Sequence, residues 1–232
     1  LSLRKTTKVQ GPGELTLTID PILQMIVEKR LEEATMEYRP KWAASVCLDP
    51  RTGAVLASAS WPSFDPNRRE TLLDPTVRMN NVIGRVYEPG STLKPVIMAI
   101  AMEQGMVKEN ETFHCAGRVR IADGMVTDIK AHGSEILQDL IVNSCNVGMA
   151  QIGIRFRPRF AYDNLKQWGF SEPSGVELPA EEAGLVSTPE QWRGVVPANI
   201  AIGQGVGVTP LQLVTALSAV INGGRCIRPF IV

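Results

Sequence analysis

Aromatic residues make up only 6% of the 232 positions, histidine occurs twice, and charge of neither sign is in excess, with 24 Lys and Arg against 24 Asp and Glu. Tryptophans at 42, 61, 168 and 192 are too scattered for a base-stacking platform. The balanced charge offers no basic footprint for a duplex or an anionic lipid surface, so no nucleic-acid partner is expected. Long apolar runs are also missing. Pro95 to Met102 and the stretch around Leu211 to Ile221 fall short of the roughly 20 residues that span a bilayer. Leu1 to Lys8 is basic but leads into Gly11-Pro12-Gly13, which is no signal-peptide core. The four cysteines, Cys47, Cys115, Cys145 and Cys226, form no C-x-x-C pair and stand at no metal-ligand spacing from His114 or His132. His114 beside Cys115 is the nearest approach, and no metal site is expected. Gly 20 and Pro 16 are too few for a low-complexity chain. What remains, with 44% hydrophobic residues, is enough for one large domain or a domain with an appendage.

Leu15, Leu17 and Ile19 alternate with Thr16 and Thr18 as in a short strand, and Asp20-Pro21 then opens a helix to about Glu37. Its inward stripe is expected to be Ile22, Leu23, Ile26, Val27, Arg30, Leu31 and Ala34. Ala43–Leu48 and Ala54–Ala59 flank the turn Asp49-Pro50-Arg51-Thr52-Gly53 as a hairpin. A proline-rich polar crossing follows. From Ser91 to Met102 the pattern is a helix apolar almost all round, which belongs inside a large domain. Further helices are predicted over Glu135–Asn143, Asn146–Arg155, Arg159–Trp168 and Pro210–Ile221, with a terminal strand over Ile227–Val232. Sheet elements at both ends around a helical middle indicate an α+β fold.

Ser91 and Lys94 lie one helical turn apart, on one face. A serine at a helix start can stabilise an oxyanion with its own backbone N–H, and a desolvated lysine can take its proton as a neutral amine. Serine is equally a common N-cap, and Ser2-Leu3-Arg4-Lys5 has the same tetrad at a terminus. The surroundings favour chemistry: Lys94 opens an otherwise apolar helix, where a charge needs a partner or a lowered pKa. Downstream stands Ser144-Cys145-Asn146, and a serine-lysine tetrad with a later Ser-x-Asn is a known pairing.

The run Tyr87-Glu88-Pro89-Gly90-Ser91-Thr92-Leu93-Lys94-Pro95 resembles the active-serine signature of class B penicillin-binding proteins. Leu17-Thr18-Ile19-Asp20, Leu48 to Gly53, Trp61 to Asn67, Asn143 to Gly148, Gly203-Gln204-Gly205 and Thr209 to Gln212 resemble further segments in the family's order. The resemblance implies the penicillin-binding-protein and β-lactamase-like transpeptidase fold, an antiparallel sheet packed by helices with a helical subdomain. It implies a nucleophile at Ser91, a base at Lys94, proton relay by Ser144, and an Asn146 that binds the stem-peptide amide and holds Lys94. The implied reaction is D,D-transpeptidation: Ser91 attacks the D-Ala-D-Ala bond, D-alanine leaves, and an amine of a second stem peptide takes the acyl group. β-Lactams would acylate Ser91. No metal or organic cofactor is needed for this chemistry, and Cys145 is expected to be a packing residue.

The family's third motif, Lys-Thr-Gly or Lys-Ser-Gly, is absent from these 232 residues. Arg51-Thr52-Gly53 imitates it but precedes Ser91 and lies in a turn. Residues 1–14 are expected to be the tail of a preceding non-catalytic domain and 15–232 a transpeptidase domain cut before that motif, with its C-terminal strands missing. Tested alone, the chain is expected to be impaired. A β-lactam sensor, a serine β-lactamase of the same fold and an inactive cell-wall scaffold are the alternatives. The resemblance further implies partners in a cell-wall synthesis complex, a location on the outer face of the bacterial cytoplasmic membrane, and an anchor carried elsewhere in the parent protein.

Overall fold

The structure is a computed structural model in which residues 14–232 are described, so nearly all of the expected tail lies outside the described residues. Helix α1 spans Pro21–Tyr38. Asp20 Oδ1 accepts the Ile22 and Leu23 N–H groups at 2.8 and 2.9 Å, two of the donors a helix start leaves orphaned. The helix lies along the hairpin of β1 (Ala43–Leu48) and β2 (Val55–Trp61), and Gln24 exchanges bonds with the Ser58 backbone at 2.8 and 2.9 Å. A two-stranded ribbon covers only a narrow stripe, so Leu23, Val27, Leu31 and Thr35 turn inward while Ile22, Ile26 and Arg30, expected on that face, stay exposed. Gly53 (φ +85) closes the hairpin where an added Cβ would meet Arg228 O at 2.5 Å, so Arg51-Thr52-Gly53 is the turn it was read as.

The polar crossing contains two 3-10 turns, Arg69–Leu73 and Pro75–Arg78, before the short helix α2 (Asn81–Gly84). A third 3-10 turn, Gly90–Leu93, runs into α3 (Lys94–Glu103). The α-helix expected from Ser91 begins at Lys94 because Pro95 has no N–H to offer the Ser91 carbonyl; the Lys94 N–H takes that acceptor in a 3-10 bond instead. The stretch after α3, for which the sequence reading names no element before Glu135, carries four short strands, β3 (Phe113–Cys115), β4 (Arg118–Ile121), β5 (Gly124–Thr127) and β6 (Gly133–Glu135). Because β6 pairs with β3 and Asp139 Oδ2 caps Ile136 N at 3.1 Å, α4 starts later than expected, at Leu137–Val142.

Helices α5 (Asn146–Gly153) and α6 (Pro158–Gln167) follow as expected, then β7 (Leu185–Val186), α7 (Val196–Ala201), β8 (Val206–Gly207) and α8 (Pro210–Ile221). Thr209 and Gln212 cap α8 reciprocally. The described strands form four two-stranded antiparallel sheets, β1-β2, β3-β6, β4-β5 and β7-β8. The segments expected as strands at 15–19 and 227–232 build no ladder. Phe230 bridges Ala54 singly, and Thr18 N donates to Ile231 O at 3.0 Å. The main core joins Leu93 of the 3-10 turn and Val96, Ile97 and Ile100 of α3 to Val147, Met149 and Ile152 of α5, and to Ala198 and Ile200 of α7. Thus α3 and α5, the helices that begin at Lys94 and Asn146, share one packed interior.

Candidate active site

Ser91 stands exposed on the 3-10 turn, and the turn is clamped by the segment that follows α7. Gly90 N donates to Gly203 O at 3.0 Å, and Gly205 N to Glu88 Oε1 at 2.8 Å. A Cβ on Gly203 (φ +76) would lie 2.0 Å from Gly90 O, so only glycine allows the two backbones to meet. Ser91 is thereby held at the surface by backbone contacts rather than by its own side chain.

One turn further, Lys94 is only 1% exposed. Its Nζ donates to Ser144 O at 2.5 Å, Asn146 Oδ1 at 2.8 Å and Ser144 Oγ at 3.1 Å, using all three ammonium donors. Burial pushes its pKa below 10.5, against a partial counter-pull from the negative charges of Asp128 and Glu135. Asn146 Nδ2 donates to Thr127 O at 3.0 Å, which leaves Oδ1 aimed at the lysine.

Ser144 is exposed and has φ +53, an uncommon conformation for a residue with a side chain. It turns the chain between α4 and α5 so that Ser144 and Asn146 both face Lys94, while Cys145 between them is fully buried and accepts Gly148 N at 3.2 Å. Burial raises the Cys145 thiol well above its usual range, so it is no nucleophile in this state. An added Cβ on Gly148 would lie 2.2 Å from Leu140 Cδ2, so a side chain there would displace Leu140.

All four residues singled out in the sequence therefore belong to one neighbourhood: Lys94 contacts Ser144 and Asn146 directly, and Ser91 shares its helical turn. Two acidic residues were not foreseen. Asp128 accepts Asn146 N at 2.7 Å and Val147 N at 2.9 Å, and the Cys115 and Cys145 thiols at 3.3 and 3.4 Å. Burial opposes ionisation of Asp128, but these donors outweigh it and hold the carboxyl below its usual range. Glu135, 2% exposed, accepts Asn143 Nδ2 at 2.7 Å. Both lie on the short-stranded stretch, where no spacing announces a contact with residues eight or more positions away.

A serine at the mouth of a helix, a buried lysine one turn in, and a Ser-x-Asn turn closing on that lysine form the arrangement shared by penicillin-binding proteins and serine β-lactamases. Residues 43–232 match the family described as "Penicillin binding protein transpeptidase domain", and the chain belongs to that family. It is 33% identical over 222 residues to Stage V sporulation protein D of Bacillus subtilis, covering 94% of this chain and 34% of that protein. To peptidoglycan D,D-transpeptidase FtsI of Escherichia coli it is 29% identical over 219 residues, covering 94% and 37%. The structure of penicillin-binding protein 3 from Mycobacterium tuberculosis, complexed with aztreonam, superposes with a TM-score of 0.86 at 32% identity, over 93% of this chain and 49% of that one. The chain thus spans about a third of the curated relatives' length. Among the described residues, no helix is long and apolar enough to cross a membrane.

Proposed function

We propose that this chain carries the acyl-transfer chemistry of a peptidoglycan D,D-transpeptidase, with Ser91 as nucleophile. The observation that carries the reading is the buried Lys94, tied to Ser144 and Asn146 one turn from an exposed serine. A lysine with a depressed pKa supplies the neutral amine needed to accept the Ser91 proton as Oγ attacks the carbonyl of the D-Ala-D-Ala bond. In this reading the backbone N–H of Ser91 donates to the developing oxyanion. Ser144, in contact with both the lysine and the open side of the site, passes the proton to the departing D-alanine amine. The acyl-enzyme is then attacked by an amine of a second stem peptide, and the same groups run in reverse. Asn146, fixed by Thr127 O and Lys94, binds the amide of the donor peptide.

The same geometry accepts a β-lactam in place of the donor. Relatives named as D,D-transpeptidases and a neighbour solved with aztreonam support that reading. The parent protein would act at the bacterial cell envelope, with the other proteins of cell-wall synthesis as partners and its own membrane anchor outside these residues. Intact-mass detection of a penicillin adduct on the whole protein tests the assignment: one adduct per chain is expected, and none on Ser91→Ala. A folded protein that takes up no penicillin, or a Ser91→Ala variant that still does, would overturn it.

A further inference from the structure

Behind the Ser-x-Asn turn lies a cluster that the proposed reaction does not use. One donor atom each from Cys115, Asp128, His132 and Cys145 lies within 4.8 Å of the others. They come from the end of β3, the exit of β5, the loop before β6 and the start of α5, so no sequence spacing reveals them. Both thiols point at a single carboxylate oxygen, Asp128 Oδ2, at 3.3 and 3.4 Å. Donor atoms arranged tetrahedrally at about 2.0–2.3 Å from a zinc ion are about 3.3–3.8 Å apart. Two edges of the cluster therefore already have the right length, and the rest close with side-chain shifts of roughly an ångström.

The histidine supplies an independent observation. Its side chain is 8% exposed, Nδ1 has no hydrogen-bond partner among the described residues, and the nearest carboxylate oxygen, Glu135 Oε2 at 3.6 Å, has none either. Two unpartnered buried polar atoms are costly. A carboxylate beside the ring of a buried histidine is the arrangement that orients a metal-bound imidazole.

We propose that Cys115, Asp128, His132 and Cys145 form a structural site for one divalent, thiolate-seeking metal ion, Zn²⁺ by its donor set. Two sulfurs, one imidazole nitrogen and one carboxylate oxygen complete four-coordination with no open position. On binding, the two cysteines give up their thiol protons to solvent and coordinate as thiolates, with no change of oxidation state. Glu135 orients His132 from the second layer. Because Cys145 sits between Ser144 and Asn146, the ion would pin the turn that holds Lys94 to the strands β3 and β5. The site is separate from acyl transfer, since the ion has no coordination place for substrate.

The whole protein, purified without chelator under reducing conditions, is the sample to test. Elemental analysis is expected to find one zinc per chain. After removal by chelation, Co²⁺ is expected to restore one equivalent with a thiolate-to-cobalt charge-transfer band and the intense visible bands of a tetrahedral site. Glu135→Gln, which leaves all four ligands in place, is expected to weaken zinc about 10–100-fold in competition with a chromophoric chelator. Cys115→Ser is expected to weaken it at least as much. Ser91→Ala and Cys226→Ser are expected to keep full stoichiometry, which separates this site from the acylation reading. The proposal is overturned by a protein that binds no stoichiometric metal, by a Cys115–Cys145 disulfide in the reduced preparation, or by affinity unchanged in both Glu135→Gln and Cys115→Ser. The unmutated protein's cobalt spectrum decides the matter if a variant does not fold.

Discussion

The two apolar clusters of this chain treat polar groups in opposite ways. The larger, around α3, α5 and α7, adjoins Lys94 and Glu135, the two fully buried charged residues among those described. The smaller joins Val55, Val82, Ile83, Val176, Leu211 and Ile231 beneath the hairpin and contains no charge, yet α1 beside it leaves Ile22 67% and Ile26 48% exposed. Exposed apolar surface is common and cheap, whereas a buried charge is tolerated only when paired and hydrogen-bonded. The difference shows where geometry is being enforced. Around Lys94 each donor has one acceptor; around α1 only the inward stripe and the cap are specified.

The largest expected effect comes from removing the charge at the centre of the first region. Lys94→Met keeps most of the volume but deletes the base, and the rate of penicillin acylation is expected to fall by about 10²–10⁴, while circular dichroism stays native. In the unmutated protein, acylation should rise with pH through a midpoint below 10.5, because burial lowers the lysine's pKa and the neutral amine is the reactive form. The same shift has a sign for stability. Between the lowered native value and 10.5 the unfolded chain holds the proton and the native protein does not, so stability rises with pH there. Denaturant titrations across that window should show the rise in the unmutated protein and lose it in Lys94→Met. A midpoint at or above 10.5 would mean that the lysine is not desolvated.

A second way to break the first region is through backbone. At Gly203 both the positive φ and the contact with Gly90 O forbid a side chain, whereas Gly205, with φ +73, has open space where its Cβ would go. Gly205→Ala is therefore expected to cost only the left-handed strain, about 1–2 kcal/mol. Gly203→Ala should cost more and also slow acylation, since the displaced backbone carries Ser91. Equal urea midpoints for the two variants would show that the clamp on Gly90 contributes nothing.

The parts of this site legible in the sequence were the local ones. Ser91 and Lys94 share a helical turn, and Ser144 and Asn146 are separated by a single residue, so three or four letters carry each pair. The start of α8 was readable for the same reason: Thr209 and Pro210 are adjacent and mark the first turn. Asp128 and Glu135 were not legible, because their partners lie on other elements and a single carboxylate in a polar stretch has no period. Strands of three or four residues, such as β3 and β6, are too short to display alternation. The inward face of α1 was misjudged at Ile22 and Ile26 because hydrophobicity records what a residue tolerates. How wide a stripe the ribbon covers is a tertiary fact.

The smallest effects should come from α1, and they test whether that second region is as loosely specified as its exposure indicates. Ile22→Ser removes an apolar side chain already mostly in water, and is expected to change stability by no more than about 0.5 kcal/mol. Asp20→Ala, two positions earlier, removes the acceptor of two backbone N–H groups that have no other partner in the helix. That change is expected to cost about 1 kcal/mol. Paired urea titrations resolve a difference of that size. If Ile22→Ser proved the more costly of the two, its side chain would have to be covered by something in the intact protein, and α1 would then be an interface rather than a thin outer layer.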